Sequence, residues 1–440
     1  MTKRADFVDG DISEDNRIDA DFLNAVLDAV WDAIGNGTDA PTTNAQVRIN
    51  LSLVIGTNVQ AYSALLTSLT SLYAAKGSFP VATAAATIAD LAVGTNGYSL
   101  VAQSGATSGL QYLPPDMGYS ILNGQPYWSA SGNALTCAIK GWDGNDPSTT
   151  NPVFIVFRSA TAATGSLTLR ALTAATSITI NDTATLGTVN STAFKLWCAA
   201  FDDGGTVRLA LINCVSGTNI YPLGQFPIAS ATQEDNASDS AHVFYSDGAT
   251  ITSKGYTVLG YAGWESGLAT AGTWSAGPTR TQLYGSGTPL PGSVIQTQWN
   301  TTGAVATGTT ATVLDNSIPQ SGEGNQYMTQ AITPTSASNI LAVDSNTYGA
   351  HSVNGQCTVA LFQDNTADAL AAVTTQQSGA STPAVGVIYY RKLAGQTTAT
   401  TFKIRAGGDA GATYTFNGSG GTRVYGGVAN SYMKVEEIMT

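Results

Sequence analysis

The chain has 440 residues, of which 43% are hydrophobic and only 11% charged, against roughly 25% charged in an average protein. That hydrophobic share argues against intrinsic disorder, and with 59 Thr and 47 Gly the β-branched residues and turn formers point to a mainly β protein of about two to four folded units. A net charge of −12 and only 18 scattered Lys and Arg exclude counterion-driven binding of nucleic acid and basic anchoring to an anionic membrane.

The opening residues turn acidic at once and carry no apolar run of the secretory type, so the expectation is synthesis in a cytoplasm without a signal peptide. No stretch approaches the about 20 apolar residues that span a bilayer, so no membrane insertion is expected. From Ile18 to Ile34, Phe22, Leu23, Val26, Leu27, Val30, Trp31 and Ile34 form one apolar stripe. Asp19 is placed to cap this predicted helix, and Gly35-Asn36-Gly37 ends it. A second helix is predicted from Asn44 to Ala75. Ile55, Val59, Tyr62, Leu66, Leu69 and Tyr73 alternate at spacings of four and three, a heptad seam that calls for partner helices. Leu65 and Leu72 widen the seam and favour more than two strands. The competing reading is an ordinary helix packed on its own domain.

Residues 1–80 are therefore read as helical and 81–118 as a low-complexity neck. The neck is rich in Ala, Thr and Gly and closes on Pro114-Pro115. Its few apolar anchors, such as Ile88, Leu91 and Leu100, suit a connector; the alternative is a plain linker. Residues 119–291 are predicted as a β-sandwich of jelly-roll or lectin-like type. Candidate strands are Leu135–Lys140, Val153–Arg158, Ser166–Leu172, Ser177–Ile180, Phe194–Phe201, Val207–Cys214, His242–Tyr245 and Tyr256–Tyr261. Asp202-Asp203-Gly204-Gly205 reads as a tight hairpin turn. Pro289-Leu290-Pro291-Gly292 marks the clearest boundary. A second sandwich is predicted over 292–440, with strands Ala311–Leu314, Tyr327–Ala331, Asn339–Val343, Gln356–Phe362, Ala384–Arg391, Thr400–Arg405 and Tyr432–Glu437.

Cys137, Cys198, Cys214 and Cys357 sit in apolar runs without CxxC or CxxH spacing. They are expected to be buried free thiols rather than metal ligands, with a Cys198–Cys214 bridge open if their strands pair. The two histidines, His242 and His351, have no nucleophile elbow nearby. Nucleotide-binding and zinc-protease motifs are missing, so no cofactor or metal is expected. Paired carboxylates could still cleave polysaccharide; Asp143 with Asp146, Asp202 with Asp203, and Glu234 with Asp235 are the candidates, each also an ordinary turn residue.

Aromatic rings are the stronger candidates, because a flat apolar ring stacks on a sugar face while nearby amides and acids bind its hydroxyls. Trp128, Trp142, Trp264 and Trp274 lie beside Gly and polar residues, with Asp143 and Asn145 next to Trp142. These six are the expected glycan contacts, with at least one of the tryptophans exposed. Trp197 alternates within an apolar run and is expected in the core.

The stretch Leu196-Trp-Cys-Ala-Ala-Phe-Asp-Asp-Gly-Gly-Thr-Val-Arg-Leu, with Ile220-Tyr-Pro-Leu-Gly, Asp239-Ser-Ala-His-Val-Phe-Tyr and Pro289-Leu-Pro-Gly, resembles a module of tail fibres from bacteriophages and phage-like particles. Ile332-Thr-Pro-Thr-Ser-Ala-Ser-Asn-Ile-Leu-Ala-Val and the final Ser431-Tyr-Met-Lys-Val-Glu-Glu-Ile resemble a common fibre tip domain, and Asp9 to Ile34 is similar to particle-attachment segments. The resemblance implies an elongated, non-enzymatic homotrimer in the virion. Its N-terminal segment, with Phe22, Val26, Val30 and Trp31, would dock on other virion proteins, and its sandwiches would meet host polysaccharide, capsule or lipopolysaccharide. A capsule-degrading spike and a ligand-free decoration of head or baseplate are the alternatives.

Overall fold

A computed structural model describes residues 20–34, 76–84, 87–94, 98–102, 106–113, 120–158, 167–234, 239–248 and 250–440. The chain divides into two compact units, residues 1–115 and 116–440.

In the first unit the predicted first helix runs over Ala20–Ile34, with Asp21 in its first turn where the helix dipole favours an acid. Phe22, Val26 and Val30, four residues apart, leave one edge of the apolar stripe exposed, while Leu23 and Leu27 are half-buried. The predicted second helix and its seam, Ile55 to Tyr73, lie outside the described residues, as does the side chain of Trp31. The Ala- and Thr-rich stretch forms two antiparallel hairpins, Phe79–Ala84 with Thr87–Leu91 and Ser99–Ala102 with Leu110–Leu113. Of its described residues only Ser78 and Val81 are buried, as expected of chain so poor in large apolar side chains.

The second unit is mainly β and holds two lobes. In the first, Phe194–Asp203 pairs with both Thr206–Asn213 and Ile251–Trp264 at the centre of a six-stranded sheet. Both faces of this sheet are covered, so Phe194 to Phe201 is buried without a break, Lys195 included, where alternation would mark a half-solvated strand. One face, with Leu196, Cys198 and Ala200, packs on strands Ala134–Gly141, Val153–Arg158 and Thr176–Ile180 of two three-stranded sheets. The other, with Trp197, Ala199 and Phe201, covers Phe244, Tyr256 and Met439. A jelly-roll or lectin-like sandwich was expected; instead the pairing of Phe194–Asp203 with Ile251–Trp264 closes this sheet on itself, so its second face encloses a core of its own rather than meeting water. The hairpin forms as predicted, with Asp203 opposite Thr206 and both Gly204 and Gly205 at positive φ.

All four cysteines are buried free thiols. Cys198 and Cys214 cannot bridge, although their strands pair: Cys198 faces the first core and Cys214 the opposite one. Cys198 instead approaches Cys137 of the facing sheet, with sulfurs 3.7 Å apart.

The second lobe is a sandwich. One sheet contains Val294–Thr302, Ser431–Ile438, Ile340–His351 and Ala384–Leu393; the other contains Asn325–Ile332, Thr400–Gly408, Gln356–Gln363 and Ala371–Gln376. Leu341, Val343, Ile388, Met433 and Val435 meet Met328, Val359, Leu361, Phe402 and Ile404 between them. The strand expected at Ala311–Leu314 is a loop whose amides go to separate partners, Thr312 N to the Gly408 carbonyl and Val313 N to Glu323 Oε2, both at 3.1 Å. The strand expected over His242–Tyr245 shrinks to Tyr245–Ser246, because His242 takes a φ of 70°.

The lobes share a small core of Val215 against Ile340, Ala342 and Ile438. Beside it the Lys195 ammonium donates to Ser338 Oγ at 2.8 Å, Thr440 Oγ1 at 3.3 Å and Asn339 Oδ1. Glu265 accepts from Ser336 Oγ and the Ala337 amide. Glu437, fully buried, accepts from the Thr335 amide, Asn339 Nδ2 and Gln296 Nε2. Buried charges at this seam are therefore hydrogen-bonded, as burial demands.

Candidate functional site

Three of the four expected glycan-facing tryptophans are core residues. Trp128, Trp264 and Trp274 cluster with Phe194: Phe194 stacks on Trp264 with centroids 4.8 Å apart, and Trp274 and Trp128 meet Trp264 edge-on at 5.8 and 6.3 Å. Trp264 and Trp274 donate their indole N–H groups to the Ala276 and Ala184 carbonyls, the usual condition for burying an indole. The neighbouring glycines suggested surface loops, yet some serve close packing. A Cβ on Gly272 would lie 2.6 Å from the Thr183 carbonyl oxygen.

Trp142 is 57% exposed, at the head of a tight loop after Ala134–Gly141. Gly144, at φ 80°, donates its amide to the Gly141 carbonyl, and Gly141 donates to that of Asn145. Asp143 accepts from the Asn145 amide at 3.0 Å and Asn151 Nδ2 at 2.9 Å, and the Asn145 amide in particular holds its pKa below the usual carboxylate value. Asp146 pairs with Lys140 at 2.8 Å. The loop thus presents one flat ring, one ionised carboxylate and one amide, the residue types expected there.

The other carboxylate candidates are engaged in the fold. Asp202 makes a two-pronged pair with Arg170, Asp203 meets Arg208 and Lys254, and Glu234 accepts from the Asn181 amide at 2.8 Å. Asp235 lies outside the described residues. Among the described residues no group of three or more acids, histidines and cysteines is arranged to hold a metal, and no helix is long and apolar enough to cross a membrane.

A second aromatic surface was not anticipated. It covers the outward face of the second lobe's Val294–Thr302, Ser431–Ile438, Ile340–His351 and Ala384–Leu393 sheet. Trp299 is 55% exposed and lies nearly parallel to Tyr432, with centroids 5.1 Å apart and planes 11° apart. The register sets Trp299, Lys434, Asp344 and Tyr389 side by side across four strands. Tyr389 is 64% exposed, and Val385 and Val387 beside it are also open. Lys434 pairs with Glu436 at 3.3 Å and Asp344 at 3.8 Å. Partial burial works against its charge, but these two acids outweigh it and raise its pKa. The missed signal was alternation: Thr297, Trp299 and Thr301 share one parity, as do Tyr432, Lys434 and Glu436.

No family model matches this sequence, and no curated protein does. Among solved structures, the infectious bursal disease virus Gx strain aligns over 74% of this chain and 80% of its own, at 9% identity and a TM-score of 0.21. The VP2 subviral particle of the same virus aligns over 74% and 79%, at 10% identity and 0.18. The insecticidal delta-endotoxin Cry8Ea1 of Bacillus thuringiensis aligns over 72% and 52%, at 8% identity and 0.17. Superpositions this loose carry nothing about topology or function.

Proposed function

We propose that this chain is a structural fibre of a phage or phage-like virion that holds the particle to a host glycan without cleaving it. The observation that carries the reading is the stacked Trp299–Tyr432 pair lying open on a β-sheet face among Asp344, Asn346 and Lys434. Solvent-exposed rings beside hydrogen-bonding groups match the two faces of a sugar, and Trp142 with Asp143 and Asn145 offers a second, smaller surface of the same chemistry. Of the acids weighed for hydrolysis, Asp202, Asp203 and Glu234 are engaged by the fold, as Asp202 is by Arg170, which supports binding over cleavage. The heptad seam Ile55 to Tyr73 and the open helix edge Phe22–Val26–Val30 support assembly of several copies and docking on other virion proteins through the N-terminal residues. Copies on one particle would turn weak single sites into firm attachment through effective concentration.

The test combines a glycan array, a reducing-end assay on host polysaccharide, and particle adsorption with and without this protein. Retention of glycan with no new reducing ends is expected. New reducing ends would make it an enzyme, and a blank array with unimpaired adsorption would leave only the decoration role. Light scattering of the full chain should give three copies, falling towards one in Leu66→Asp/Leu69→Asp.

A further inference from the structure

We infer that the outward sheet face of the second lobe binds an extended, uncharged glycan laid across the strands from Trp299 to Tyr389. This inference rests on the adhesive reading above and adds the site, the ligand's length and its charge.

Length follows from register. Trp299, Lys434, Asp344 and Tyr389 occupy four adjacent strands in one row. Three strand spacings of about 4.8 Å separate the end residues by about 14 Å, too far for one monosaccharide to touch both rings. One row away, Thr301, Tyr432, Asn346 and Val387 repeat the arrangement, polar and apolar positions mixed. The far end of the face is closed, because Ala342, Ile340 and Ile438 are covered by Val215 of the first lobe. A chain of sugars therefore has one broad track, with a stacked pair of rings at one end and the exposed Tyr389 at the other.

Charge follows from the same row. Asp344 and Glu436 stand against Lys434 and, in the next row, Arg391, two acids to two bases. Lys434 is already held by both acids, and the remaining base, Arg391, stands half-buried with its Nε unpartnered in the row of Ala342 at the closed end, while the chain as a whole carries −12. An acidic polysaccharide would approach against this net negative field, with Arg391 at the closed end as its spare cation and none along the open track. A neutral sugar instead offers hydroxyls that both donate to Asp344 and accept from Lys434. The ion pair at the middle of the face also disfavours a second copy of this chain as occupant, since the dry centre of a protein interface is depleted in Lys, Asp and Glu.

The experiment uses the full chain with neutral gluco-, manno- and galacto-oligosaccharides of one to six sugars. Polyuronate fragments of equal length form the acidic arm, and binding is read by calorimetry. Expected are affinity that climbs steeply beyond two sugars, weaker or absent binding of polyuronates, and a loss of tenfold or more in each of Trp299→Ala and Tyr389→Ala. Tyr127→Ala, an exposed ring on the first lobe, should bind as the wild type does. All three positions are exposed, and circular dichroism of each variant checks its fold. Preference for polyuronates, equal affinity for single sugars, or binding indifferent to Tyr389→Ala would overturn this inference and leave the adhesive reading standing. A wild-type chain that retains no glycan on the broader array would remove that reading and this one together. A changed subunit count in Trp299→Ala/Tyr389→Ala would show instead that the face joins copies of the chain, and would also overturn it.

Discussion

Raising the pH from 6.5 to 8.5 should stabilise this fold, and Lys195 is the reason. Its side chain is 1% exposed between the lobes. Burial holds its pKa down to about 7 from the ordinary 10.5; Arg280 adds to the effect, while Glu265 and Glu437 oppose it. In the unfolded chain the amine keeps its proton up to about pH 10. Between about pH 7 and pH 10 the unfolded state therefore binds a proton that the folded state has released, and stability rises with pH. The limiting slope is about 1.4 kcal/mol per pH unit. Since titration of the folded form is only beginning at pH 6.5, the gain to pH 8.5 is about 2 kcal/mol. The window closes higher up. Burial raises the pKa values of Cys137 and Cys214, and lifts Tyr256 and Tyr327 to about 12. These groups keep protons in the fold that the unfolded chain loses, so they reverse the trend above about pH 9. Urea titrations at pH 6.5, 7.5 and 8.5, followed by tryptophan fluorescence, measure the slope, and Lys195→Met removes the titrating amine. An equal slope in Lys195→Met, or none in the wild type, would refute the reasoning.

Trp264→Ala should cost about 3–5 kcal/mol in a denaturation experiment, because it empties the centre of the Phe194–Trp128–Trp274 cluster. Trp142→Ala, on an exposed ring, should stay within about 0.5 kcal/mol of the wild type. Glu437→Gln should destabilise by about 2–4 kcal/mol, since its new NH2 would face donors such as Thr335 N and Asn339 Nδ2; Glu437→Asp should recover part of that loss. An aromatic-disulfide thiol reagent should label none of the four cysteines in the native chain and all four in urea.

Strand positions were legible where apolar runs are bounded by turn residues. Val153–Arg158 forms with the predicted ends, and the Asp-Asp-Gly-Gly turn forms because only glycine takes two successive positive φ angles at no cost. Ala311–Leu314 has strand-like residues, but while Thr312 N reaches Gly408 at the end of a neighbouring strand, Val313 N turns to the Glu323 side chain, so no ladder forms. The strand Val294–Thr302 went unread, since Gln and Thr dominate it and its partner, Ser431–Ile438, lies over a hundred residues away in sequence. The same separation hid the aromatic row, whose members come from four distant segments.

By itself the amino-acid sequence determined local matters: a mainly β chain, the first helix, the Asp-Asp-Gly-Gly hairpin turn and the burial of the thiols. These depend on a few neighbouring residues and their backbone preferences. Tertiary structure alone decided which side of a sheet meets water. It buried Trp128, Trp264 and Trp274 in one core, left Trp299 and Tyr389 open, and sent Cys198 and Cys214 to opposite faces. Burial of a side chain depends on what lies across from it, and in a protein built of long-range strand pairings that neighbour is rarely close in the chain.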